Sequence, residues 1–238
     1  MTSNHIFTSS PTSTIKSIDV SDPANLSVSD TSYSLKERII NVNQFLYACD
    51  KSPGIAQSAI TQIDVTDPTN MVFKQYIYCS YGSYGSGADE VLPVYPVYYD
   101  KWVLIAGSKL KVPPPQPSEA WAVLWAIDVT DPSNPVVTSY EVAHAYISAR
   151  YDTYICLLGD ILIYCYGAVK AYDLTNLPTS IDLQDTWNQA GVISNVNGIV
   201  GDTPNFYITD VGKGAIHSFS YTVVDGITYL DTLTLAVS

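Results

Sequence analysis

The sequence predicts an all-β fold: a single domain built as a five-bladed β-propeller of four-stranded antiparallel blades. Three observations carry that expectation. A strand-and-turn motif recurs along the chain, short β-branched and aromatic runs alternate with turn residues between its copies, and nothing in the 238 residues reads as a long helix. The fullest copy is Ile127-Asp128-Val129-Thr130-Asp131-Pro132-Ser133-Asn134-Pro135. It returns as Ile18-Asp19-Val20-Ser21-Asp22-Pro23, as Ile63-Asp64-Val65-Thr66-Asp67-Pro68 and more loosely as Tyr172-Asp173-Leu174-Thr175-Asn176. A fifth stretch, Ile216-His217-Ser218-Phe219-Ser220-Tyr221, keeps the apolar pattern without the Asp or the turn. Counted at the first position of the motif, the intervals are 45 (18 to 63), 64 (63 to 127), 45 (127 to 172) and 47 (172 to 219). A period of roughly 40–50 residues with several strands per unit is that of a propeller blade.

The motif describes how a strand ends. Proline fixes its own φ and keeps the preceding residue out of the α region, so Asp-Pro closes a strand and opens a turn. The Asp or Asn side chain accepts a backbone N–H two residues on and holds that turn locally. Asp22, Asp67, Asp131 and Asn176 are therefore read as turn-forming residues. Upstream, the key position holds Ile18, Ile63, Ile127, Tyr172 and Phe219, and three residues earlier stand Ile15, Ile60, Leu124, Val169 and Ile216. Such a strand is consistent with burial on both faces.

Taken in order, residues 1–34 form a first blade whose strands lie at 5–9, 14–20 and 26–34, with no evident innermost strand. Thr232-Leu233-Thr234-Leu235-Ala236-Val237, from the other end of the chain, is the expected filler, since pairing the termini removes two open edges. Blade two spans 35–79 and blade three 90–142, with key strands at 59–65 and 121–129. Blade four, 146–187, has the cleanest pattern, with a Gly159-Asp160 hairpin; a turn or two of helix near Asp185–Ala190 is the most the chain allows. Blade five runs over 192–238 and turns at Val224-Asp225-Gly226. The 64-residue interval holds two insertions, 80–90 and 109–118; the first is Gly-, Ser- and Tyr-rich, and the second is an extended polyproline stretch.

The copies resemble the LVIVD repeat, whose hallmark is an aliphatic strand running into Asp-Val-Ser/Thr-Asp-Pro-x-Asn-Pro. Three copies match well, the fourth partly and the fifth only in pattern, and together they tile nearly the whole chain. The resemblance implies a propeller and an association with bacterial and archaeal surface proteins. It carries over no catalytic residues.

Composition narrows the function classes. A net charge of −12, with 11 Lys and Arg unclustered, argues against nucleic acid and against an anionic membrane surface. No window approaches 18 consecutive apolar residues, so no membrane insertion is expected, and the start Met1-Thr2-Ser3-Asn4-His5-Ile6-Phe7 lacks the pattern of a secretory signal. Synthesis in the cytoplasm without such export is the expectation. The four cysteines show no metal spacing, and Cys156 and Cys165 flank the Gly159-Asp160 turn diagonally, so both a disulfide and buried free thiols stay open.

No nucleophile elbow, phosphate loop, dinucleotide fingerprint or metalloprotease helix is present, so neither cofactor nor metal is expected. His5, His144 and His217 are isolated in sequence and read as surface or packed residues. The repeated Asp pairs resemble calcium ligands only superficially, because turn chemistry accounts for them. A glycosidase would need two carboxyl groups about 5–10 Å apart in the central pore, and the candidates are Glu37, Glu90 and Asp152, with Asp89 nearby; solvated strand ends are the plainer reading.

Tyrosine stands out, with 19 Tyr against 5 Phe and 4 Trp. Tyr suits half-buried sheet surfaces and interfaces with one wet end. The expected function is a non-enzymatic propeller serving as a structural or docking component of a virion or cell-surface assembly, its partners being other protein subunits. The composition is similar in style to that of structural proteins of viruses from thermophilic archaea. The expected contact residues are Tyr81, Tyr84, Asp89, Glu90, Pro113, Pro114, Pro115 and Pro117, in the two insertions. A glycan- or ligand-binding propeller and a five-bladed glycosidase are the alternatives.

Overall fold

The computed structural model describes residues 4–9, 14–34, 38–49, 58–79, 90–111, 119–146, 153–166, 168–188, 192–193 and 195–235. They form nineteen strands and, among the described residues, no helix. The first sheet holds β1 (His5–Thr8), β2 (Thr14–Asp19) and β3 (Ser27–Ser34); the second β4 (Arg38–Val42), β5 (Phe45–Cys49), β6 (Ser58–Asp64) and β7 (Val72–Cys79). The third comprises β8 (Glu90–Tyr99), β9 (Trp102–Lys111), β10 (Glu119–Asp128) and β11 (Val136–Tyr146). The fourth is β12 (Tyr154–Leu158), β13 (Ile161–Tyr166), β14 (Ala168–Asp173) and β15 (Asp182–Trp187). The fifth is β16 (Val196–Asp202), β17 (Asn205–Asp210), β18 (Ala215–Thr222) and β19 (Gly226–Thr234). Each is an antiparallel meander in chain order, so local turn chemistry sets the topology.

Two kinds of turn do this. Asn43 and Asp100, at φ of 55° and 53°, and Gly159 at 63° open the two-residue hairpins between the first and second strands of sheets two, three and four. These are residue types that tolerate the left-handed region, which such hairpins require. At the end of each motif strand the Asp-Pro step forms a β-turn: the carbonyls of Asp22, Asp67 and Asp131 accept the N–H of Asn25, Asn70 and Asn134. One further bond ties the two turn types together in every sheet. The N–H groups of Val20, Val65, Val129, Leu174 and Tyr221 donate to the carbonyls of Asn4, Gln44, Lys101, Asp160 and Pro204. Asn4 thus stands where the others have their inner hairpin, and β1 corresponds to a second strand.

The key-position residue and the one three before it lie an odd number of residues apart, so they point to opposite faces. This gives the packing a direction. Ile15 meets Ile63 between sheets one and two, Ile60 joins Ile127 between two and three, Leu124 joins Tyr172 between three and four, and Val169 joins Phe219 between four and five. All eight are buried. In sheets two, four and five the ladder slips by one residue directly before Ile63, Tyr172 and Phe219, a bulge that increases the twist of the outer strand.

Hydrogen bonds cross the same junctions at equivalent places. Gln75 of β7 donates to the carbonyl of Pro132 at 2.9 Å, alongside Gln62, and Tyr140 of β11 donates to that of Pro178 at 2.6 Å. Asp185 of β15 accepts the N–H of Ile227 at 2.6 Å. In each case an outer strand holds the outer turn of the following sheet or the start of the strand just after it.

Several expectations are corrected. Thr232–Thr234 pair with Ala215–His217 as the end of β19, so this part of the C-terminal segment belongs to the fifth sheet's outer strand and not to an inner strand of the first. The first sheet has three described strands rather than four. Lys109, Leu110 and Lys111 continue β9, with Lys111 opposite Glu119, so part of the second insertion is strand and not polyproline. Asp185–Trp187 lie in β15 and not in a helical turn. Cys156 and Cys165, diagonal across the β12–β13 hairpin, are buried and form no disulfide, and Cys49 and Cys79 are likewise buried and outside any disulfide.

Candidate functional site

The inner strands β4, β8, β12 and β16 pack side by side in chain order, and a concavity lies against them. It has a volume of about 440 Å³ and is lined by Ile40 of β4, Tyr95 to Tyr98 of β8, Ile155 to Leu157 of β12 and Ile199 to Gly201 of β16. Gly201 lets β16 approach β12, since a Cβ there would lie 2.8 Å from the Leu157 carbonyl oxygen. The Arg38 guanidinium sits 4.8 Å above the centroid of Tyr95, whose ring also meets that of Tyr154 at 5.6 Å. This combination fixes the Tyr95 ring.

The lining suits an apolar or aromatic surface, with tyrosine as its polar side chains. Burial pushes the Cys156 thiol up to about 12, so it stays protonated at neutral pH and is a poor nucleophile. Among the described residues, the carboxylates with a lowered pKa are elsewhere, in the turns. Hydrogen bonds from Thr66, Thr130 and Thr175 hold Asp64, Asp128 and Asp173 below the usual carboxylate range, and Ser21, Asn25 and Thr69 do the same for Asp19, Asp22 and Asp67. A glycosidase acid needs the opposite shift, upward.

Asp22, Asp67 and Asp131 accept the N–H of Ala24, Thr69 and Ser133 at 2.9 to 3.0 Å, as turn chemistry predicts. Asn176 departs from the expectation: its side chain donates to Asp182, while its backbone carbonyl receives Thr179 and Ser180. The following residue explains this, because Leu177 stands where the other copies have proline and displaces the proline to 178. Tyr81, Tyr84, Asp89, Pro113, Pro114, Pro115 and Pro117 lie outside the described residues, as do Glu37 and Asp152. Glu90 opens β8 opposite Leu110. Because Lys111 faces Glu119 in the same sheet, both insertions leave from one end of the third sheet.

One arrangement was not foreseen. His217 is buried in β18, its Nδ1 2.8 Å from Thr232 Oγ1 and its Nε2 3.6 Å from Asp210 Oδ2. Asp210 also accepts the N–H groups of Asn195 and Gly212. The clue was local, since a hairpin between β17 and β18 returns residue 217 opposite residue 208 and diagonal to residue 210. The expectation of a packed histidine holds for His217. It is not among the residues lining the concavity.

These features define a propeller-like all-β protein with a tyrosine-bearing concavity against its inner strands. No protein-family model and no curated protein matches the chain. Solved structures do. A protein of unknown function from Desulfotomaculum acetoxidans superposes with a TM-score of 0.61 at 11% identity, over 98% of this chain and 68% of that one. A protein from Lactobacillus plantarum gives 0.65 at 12% identity, over 98% and 67%. A proposed 6-phosphogluconolactonase from Bacteroides uniformis gives 0.63 at 10% identity, over 92% and 63%. The chain spans about two thirds of the length of these proteins. At such identities the likeness establishes the fold and nothing finer.

Proposed function

We propose that the chain is a non-enzymatic propeller-type scaffold that docks other protein subunits within a virion or extracellular surface assembly. The observation carrying this reading is one face of β7, where Tyr76 and Tyr78 stand about half exposed at alternate positions. Large amphipathic rings left in water on a regular strand are the composition of interface cores. The two insertions leaving one end of the third sheet extend the docking role to Tyr81, Tyr84 and the proline stretch. The test is a double substitution, Tyr76→Ser with Tyr78→Ser. It is expected to release the chain from the assembly with which it purifies from its natural source, with the melting temperature unchanged. Full retention would contradict the reading.

A second reading has its own support: the concavity is of ligand size, and one protein sharing the fold is named for lactone chemistry. On this reading Tyr95 and Tyr98 hold a sugar-like ligand. Turnover of 6-phosphogluconolactone or of a glycan panel, lost in Tyr95→Ala, would place it first.

A further inference from the structure

The direction of the packing leaves two surfaces unmatched. At every junction within the chain, the residue three before the key position packs on the following sheet and the key residue packs on the preceding one. Sheet one has no preceding sheet and sheet five no following one. Of the ten residues in this pattern, Ile18 and Ile216 are the two left only partly buried. The pattern extends sideways along the registers. Ile18 is flanked by Ile6 and Val28, as Ile127 is by Val103 and Val137. Ile216 is flanked by Leu233, as Ile60 is by Ile77. Yet Ile6 is 53% and Val28 56% exposed where Val103 is 0%, and Leu233 is 62% exposed where Ile77 is 4%.

We propose that these two faces are a matched pair of docking surfaces, and that each is covered by the other face of a second copy of the chain. The reading rests on the docking function and names the partner. The occupant follows from the repeat, because a face built like those that receive the next sheet fits a sheet built like the one that follows. A second copy fits the observed geometry better than closure of one chain upon itself. Drawing sheets one and five together would require rotation at junctions that Gln75 and Pro132, Tyr140 and Pro178, and Asp185 and Ile227 hold by hydrogen bonds. A copy seated end to end needs no such change. The contact is heterologous, head to tail, so it builds a larger ring or a filament rather than a two-fold dimer.

The test uses Val28→Arg and Leu233→Arg, each placing a charge on one face at an exposed position. Sedimentation over a hundredfold range of concentration should show wild-type mass rising above one chain, and each variant staying at one chain with an unchanged melting temperature. An equimolar mixture of the two variants retains one intact pair of faces and should give a two-chain species and nothing larger. A wild type that stays at one chain throughout would overturn the proposal, as would a mixture that fails to pair. So would variants that melt earlier with no change in mass, because that is the signature of a ring closed on itself. The Tyr76 and Tyr78 test is separate, since those side chains belong to the second sheet, and it can succeed where this one fails.

Discussion

At the scale of single residues, the aspartates of the motif explain both the turns and the acid behaviour. Asp64 accepts the backbone N–H and the hydroxyl of Thr66 at 2.9 and 2.6 Å, and Lys74 approaches its other oxygen at 3.1 Å. Replacing it by Ala should cost about 1 kcal/mol in a denaturant titration, mostly through the lost turn bonds. The surface ion pair adds little. Six aspartates, Asp19, Asp22, Asp64, Asp67, Asp128 and Asp173, share a folded-state pKa held below the ordinary value of 3.8. Their contribution is therefore complete above that value and is lost as pH falls through the lower, folded one. The melting temperature should be level from neutrality to about pH 5 and fall below about pH 4. A fall beginning near pH 6 would contradict this assignment to the aspartates. These turns were legible in the sequence because their chemistry spans only four residues. Asn176 was misread for the same reason: moving one proline by one position redirected its side chain.

At the scale of elements, the junctions matter more than the strands. The sequence showed which strands exist and which positions are apolar, since alternation and turn residues are local signals. The polar contacts between sheets were not visible, because Gln75 and Pro132 are far apart in the chain and glutamine carries no periodic mark. The lengthening of the third sheet was missed too. Lys109-Leu110-Lys111 reads as loop because two lysines interrupt the apolar pattern, yet a strand needs only its backbone to pair. Two substitutions separate the contributions at the second junction. Gln75→Leu removes one hydrogen bond to Pro132 while Gln62 keeps another, and should cost about 1 kcal/mol. Ile60→Ala empties a fully buried site between sheets two and three and should cost about 2–5 kcal/mol. If Gln75→Leu proved the more damaging, the junction would be held by its polar bonds rather than by apolar packing. As for the site, the residues lining the concavity follow from the inner strands, but most of the contact residues expected from the sequence lie outside the described segments.

At the scale of the whole molecule, a directional repeat packs five sheets in chain order and leaves one face exposed at each end. Hydroxyl-radical footprinting of dilute, single-chain protein tests this at twelve side chains in one experiment. Ile15, Ile60, Ile63, Leu124, Ile127, Val169, Tyr172 and Phe219 should be protected, while Ile18 and Ile216, with Ile6 and Leu233 beside them, should be oxidised. Oxidation of the first eight at the rate of the end residues would contradict the packing order, and full protection of Ile18 and Ile216 in a single chain would contradict the exposed ends.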